Sequence, residues 1–198
     1  MHLCLDLSTK CTGYSVFTKD GKLKRKGRII PSDSINIYHK INYVTEKIKI
    51  LFKGIDEIII EGLYYNKHSG GNLDTVLCLA RLSGAVINAW VTYSYKEPHI
   101  IKAIRARKLL NIHGFAHKAE IQIYVLSKYK FATTNEIKIY QKSIDSLKSL
   151  YKNSKITRGQ YRYRMDKLSR QIDEDTGIGE DIADSIVVGL AYNVLENK

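Results

Sequence analysis

Four acidic residues in this sequence stand where acids are costly. Asp6 lies in His2-Leu3-Cys4-Leu5-Asp6-Leu7, a strand-like alternation that turns it away from the face shared by the three leucines. Glu61 closes Ile58-Ile59-Ile60-Glu61, the end of a continuous β-branched run of the kind buried on both faces of a sheet. Asp181 and Asp184, three residues apart at the start of an apolar helical stretch, share one helix face near its positive end. An ionised carboxylate removed from water is strongly unfavourable unless a cation meets it or it takes up a proton. For Asp6 alone three partners are open: a Lys or Arg, a backbone N–H, or a divalent cation. Helix capping accounts for Glu180 but does not require a second acid one turn inside an apolar helix. Gathered at one point, hard oxygen donors of this kind select Mg²⁺ or Mn²⁺. Two such ions about 4 Å apart can activate a water and stabilise the leaving oxygen of a phosphodiester.

The charge balance points to the same class of substrate. Lys and Arg total 32 against 20 Asp and Glu, a net +12, so the chain is drawn to polyanions; the plain alternative is a basic surface with no specific ligand. Cys4, Cys11 and Cys78 are odd in number and lack CxxC spacing, which indicates neither a disulfide framework nor a zinc site. No run approaches the roughly 18 apolar residues of a bilayer span, and the N-terminus lacks a basic-then-apolar leader. The expectation is therefore an intracellular protein with no membrane partner. A chain of 198 residues is expected to form one domain, 1–198.

The elements that must position the acids follow from periodicity. Thr12-Gly13 reads as a hairpin-like turn into a second strand over residues 14–17, and residues 23–30 as a third, antiparallel strand at or near an edge. Residues 31–34 break the pattern and offer a cap for a helix carrying Ile35, Tyr38, Ile41, Val44, Ile48 and Leu51, which Gly54 ends. The hydrophobic strand ending at Glu61 comes next. A loop with Tyr64, Tyr65, Lys67 and His68 leads to a helix that starts at Gly71 or Asn72. Residues 91–95 read as the fifth strand, stopped by Pro98, with helices expected over 98–110 and 118–128. From Lys128 to Arg170 the chain has 12 Lys or Arg against Glu136, Asp145 and Asp166, and Thr157-Arg158-Gly159-Gln160 resembles a capping box. Residues 130–176 are thus expected to form a basic helical hairpin inserted before the last helix. The fold class is α/β: a five-stranded mixed sheet flanked by helices.

Four pieces, in order, resemble the RuvC-type Holliday junction resolvases of the ribonuclease H-like superfamily, in a divergent viral or phage-like form. They are Asp6-Leu7-Ser8 with Thr12-Gly13, the Ile58-Ile59-Ile60-Glu61 strand, Ala80-Arg81-Leu82-Ser83-Gly84-Ala85, and Glu180-Asp181-Ile182-Ala183-Asp184-Ser185. The resemblance covers most of the chain apart from about residues 130–176; the basic hairpin has no counterpart in compact members of the family. It implies that Asp6, Glu61, Asp181 and Asp184 are metal-binding catalytic acids holding two Mg²⁺ per site, with Mn²⁺ able to substitute and Glu180 an alternative to Asp181. It sets Tyr64 where the family carries an aromatic residue near the junction centre, with Tyr65 and Lys67 beside it on the DNA. Pro98, Ile101-Lys102 and Ala116-His117-Lys118 resemble the family's segment of phosphate-contacting lysines. Lys118 is accordingly expected in catalysis and DNA binding, and Lys102 and Arg105 in DNA binding, although residues 105–114 depart from the family's short Gly-rich connection. The implied activity is paired nicking of four-way DNA junctions by a homodimer whose seam is the helix over residues 72–90. The rivals are a flap, branched-DNA or RNA-processing nuclease of the same fold, and a catalytically silent DNA-binding module. An ATPase half-domain would need Gly-rich phosphate loops that the sequence lacks.

Overall fold

A computed structural model of the protein describes residues 1–63 and 73–196. Strands β1 (His2–Asp6), β2 (Thr12–Phe17), β3 (Leu23–Ile29), β4 (Glu57–Gly62) and β5 (His99–Lys102) form one mixed sheet in the order β3-β2-β1-β4-β5. β1 is antiparallel to β2 and parallel to β4, which is parallel to β5. Leu5 lies beside Ile60, so the next residues along, Asp6 and Glu61, come side by side near the ends of neighbouring parallel strands.

Alternation along these strands splits the core in two. Leu3, Leu5, Val16, Ile58 and Ile60 are buried under α1 (Ile37–Leu51) and α2 (Leu73–Ser94), against Val44, Ile48, Leu82, Val86 and Trp90. Cys4, Phe17 and Ile59 face the other way, under α7 (Glu180–Glu196), with α3 (Ala103–Leu109) and α4 (Lys118–Tyr129) beside it. Asp6 and Glu61 belong to this second face. Two glycines let α7 lie close on the strands. A Cβ on Gly13 would fall 2.0 Å from the carbonyl oxygen of Asp181, and one on Gly189 would fall 2.3 Å from the Phe17 ring. The Ser15 hydroxyl donates to the Ser185 carbonyl (2.9 Å), tying β2 to the same helix.

Helices α5 (Thr134–Lys152) and α6 (Arg158–Thr176) form a hairpin against α4, each opened by a capping box, Thr133 with Glu136 and Thr157 with Gln160. Tyr140, Ile144, Met165, Leu168 and Ile172 are buried in the shared core. The fully buried Gln122 amide donates to the carbonyls of Ser169 (3.1 Å) and Ile178 (2.8 Å) and accepts from the Ser169 hydroxyl, which binds α4 to α6 and to the link before α7.

Several expected boundaries differ. Thr12 and Gly13 are not a turn but the first residues of β2, with Gly13 paired to Asp6. Asn36, not residues 31–34, caps α1 through a bond from the His39 N–H. Residues 91–95 are not the fifth strand: α2 continues to Ser94, held by the contact of Trp90 and Tyr93 with Phe52, and Tyr95 leaves it at φ +57°. The fifth strand is His99–Lys102, where helix had been expected, because parallel pairing with β4 satisfies its backbone and buries Ile101. By length and apolar composition α2 meets the requirement for a membrane-crossing helix, which interspersed Asp74 and Arg81 disguise in the sequence.

Candidate metal centre

Asp6 from the end of β1, Glu61 from β4 and Asp184 from the second turn of α7 converge. Each offers a carboxylate oxygen, and the three oxygens lie within 4.8 Å of one another; among the described residues no other set of His, Cys, Asp or Glu gathers so closely. Removal from water pushes the Asp6 carboxyl well above its ordinary range, and Glu61, Asp184, Asp181 and Glu180 push it further. Burial, then the charge of Asp184, raises Glu61 to about 8, partly opposed by Arg107. Asp184 is raised by burial as well, and Arg107 again pulls the other way.

Among the described residues, Arg107 is the cation that pairs with this group. Its guanidinium donates to Asp184 Oδ1 (3.1 Å) and reaches the carbonyls of Gly114 (3.5 Å) and Ala116 (3.4 Å), so α3 and the following loop hold it over α7. With all three acids ionised, one arginine leaves about two negative charges, which is what a divalent cation would neutralise. All the donors are carboxylate oxygens, the preference of Mg²⁺ and Mn²⁺, so the residues present fit such an ion.

Asp181 is not among the three converging acids. It lies one turn earlier on α7, hydrogen-bonded with the Cys11 thiol, and its own carboxyl is raised mainly by burial. It lines a cavity with Cys11, Arg28, Lys118 and Glu180. Glu180 is engaged by Lys118 in an ion pair. Lys118, at the first position of α4, stands between that cavity and a second one lined by Arg107, His117 and Asp184. Lys102 and Arg105 line a groove of about 830 Å³ together with Glu61, Arg107 and Phe115. Tyr64, Tyr65 and Lys67 lie outside the described residues.

Two residues at this site escaped the sequence reading. Arg107 lies within a run of basic residues, and its only local signal is that it follows the buried Ala106 on a short helix. Nothing in the spacing of Cys11 announces a contact with Asp181 some 170 residues away.

No protein-family model matches the sequence, and no curated protein matches it. Solved structures are similar. One is RuvC of Thermus thermophilus in complex with a Holliday junction substrate, at TM-score 0.59 and 8% identity, covering 99% of this chain and 94% of that one. A second Thermus thermophilus RuvC structure gives TM-score 0.59 and 12% identity, with 99% and 95% covered. At such identities the likeness is one of fold. The chain has the ribonuclease H-like α/β fold of RuvC, with the five-stranded mixed sheet flanked by helices that the sequence motifs lead one to expect.

Proposed function

We propose that this protein is a metal-dependent, structure-selective DNA endonuclease that resolves four-way junctions, working as a homodimer. The observation that carries the reading is the meeting of Asp6, Glu61 and Asp184, from two parallel strands and the helix across them, with Arg107 paired to Asp184. The fold it occurs on is that of RuvC, one structure of which holds a Holliday junction substrate.

Asp6, Glu61 and Asp184 are the residues that would hold Mg²⁺ or Mn²⁺, and Asp181, one turn earlier on α7, is the further acid that would serve a second ion. Bound there, divalent ions supply Lewis acidity and an activated water for breaking a phosphodiester P–O bond. The chain's own groups do the rest. Lys118, next to Asp184, steadies the charge that grows on the scissile phosphate. Lys102 and Arg105, in the groove beside Glu61, hold neighbouring phosphates. Tyr64, Tyr65 and Lys67 follow β4 closely enough in sequence to meet DNA at the junction.

Two symmetric nicks need two sites, hence a twofold dimer. Support for its seam comes from the outer side of α2. Leu73, Leu77, Ala80, Gly84, Ile87 and Val91 recur at alternating steps of four and three, the spacing of a two-helix seam. Leu73 is 56% exposed and Leu77 46%, and beyond Gly84 there is open space into which a second backbone can come close.

The test compares purified protein on a four-way junction, a flap, linear duplex and structured RNA with Mg²⁺. Junction-selective cutting in paired nicks is expected, and Asp184→Asn should bind the junction without cutting it. Equal cutting of all four substrates, or full cleavage by Asp184→Asn, would refute the proposal.

A further inference from the structure

The hairpin of α5 and α6 has no part in holding the metal or cutting, yet the end closed by its connecting loop lies on a cavity that reaches the acids. A cavity of about 570 Å³ runs from Asp184, past Arg107, His117 and Lys118, to Tyr151 at the end of α5 and Arg158, Tyr161 and Arg162 at the start of α6. Its two carboxylates are already engaged, Asp184 by Arg107 and Glu120 by Lys148. Arg158 and Arg162 are both exposed, sit one turn apart on the same helix face, and have no ion-pair partner among the described residues. The first turn of α6 carries no acid, so the positive end of a 19-residue helix adds to their field. Tyr151 and Tyr161 stack beside them with ring centres 5.0 Å apart, an apolar wall next to the arginines.

We infer that this cleft is a phosphate-backbone track: Arg158 and Arg162 grip the nucleic-acid strand on one side of the scissile phosphate, while Lys118 serves at the cut itself. The inference rests on the nuclease reading and deepens it, since it gives the inserted hairpin the job of a clamp. Two unpaired guanidiniums at one-turn spacing suit successive phosphates, and each can grip one in two-pronged fashion. The chemistry recognised is only a phosphodiester backbone, so the track is indifferent to base sequence.

The experiment measures binding of the full-length protein to a four-way junction in EDTA over a range of salt, for the wild type, Arg158→Gln/Arg162→Gln, and Lys152→Gln/Lys155→Gln. The last pair removes the same charge from the hairpin tip, outside the cleft. Loss of two phosphate contacts should reduce the log–log salt slope by about 1.8, which at 0.15 M salt is about a 30-fold weaker affinity. The lysine pair should change the slope far less. Equal melting temperatures of the three proteins establish that folding is intact, because all four positions are solvent-exposed. An unchanged slope in the arginine pair, or an equal fall in the lysine pair, overturns the track. Either result leaves the nuclease reading standing if the wild type still cuts junctions. Conversely, a slope change in the arginine pair with no cutting by the wild type keeps the track and removes the nuclease.

Discussion

Glu61→Gln should make the metal-free protein more stable while removing its response to metal. Burial and the charge of Asp184 raise the Glu61 carboxyl from 4.5 to about 8. The folded chain therefore holds more protons than the unfolded chain between those two values, and its stability falls as pH rises through that window. At about 1.4 kcal/mol per pKa unit the ceiling on this penalty is about 5 kcal/mol. The repulsion is shared among three acids and offset by Arg107, so about 2 kcal/mol should be recovered at pH 8 when Gln replaces Glu. For a chain of this size that is roughly 4–8 °C in melting temperature. Thermal melts of both proteins in EDTA and in Mg²⁺, at pH 5 and pH 8, provide the assay. The wild type should lose stability from pH 5 to pH 8 in EDTA and regain it with Mg²⁺; the variant should show a flatter pH profile and little metal effect. A variant less stable than the wild type at pH 8 in EDTA, with an undiminished metal shift, would refute the reasoning.

Three further outcomes follow from particular contacts. Gly13→Ala drives a Cβ into the Asp181 carbonyl and should cost about 2 kcal/mol or more, read from the urea midpoint, with loss of cleavage because α7 shifts on the sheet. Arg107→Gln leaves Asp184 unpaired and should lower metal-free stability at pH 8 by about 2 kcal/mol, with Mg²⁺ restoring most of it in thermal melts. Leu77→Glu, on the outer side of α2, should turn a dimer into a monomer by sedimentation and convert paired nicks into unlinked single nicks.

The parts of the fold written in strong periodicity were legible. Alternation in β1, the β-branched run of β4 and the apolar helix after Gly179 located Asp6, Glu61 and Asp184 on elements that do meet. The Thr157–Gln160 capping box opens α6 as its residue types require. What failed was settled by contacts distant in sequence. Val91, Thr92 and Tyr93 favour strand locally, but a helix that seats Trp90 and Tyr93 against Phe52 continues through them. His99 to Lys102 carries a helical period running into α3 and becomes a strand only because β4 offers a free edge. Asp181 shares a helix face with Asp184, yet one turn along α7 moves it beyond the tightest cluster and toward Cys11. Arg107 could not be distinguished from its basic neighbours, since its importance lies in the carboxylate opposite it rather than in its own spacing.

The most direct test of the central claim is the anomalous scattering of a crystal soaked in Mn²⁺. Manganese peaks bridged by carboxylate oxygens of Asp6, Glu61 and Asp184, with the Arg107 guanidinium drawn off Asp184, are the expected result. Manganese bound elsewhere, with these three acids still held only by Arg107 and water, would contradict the account.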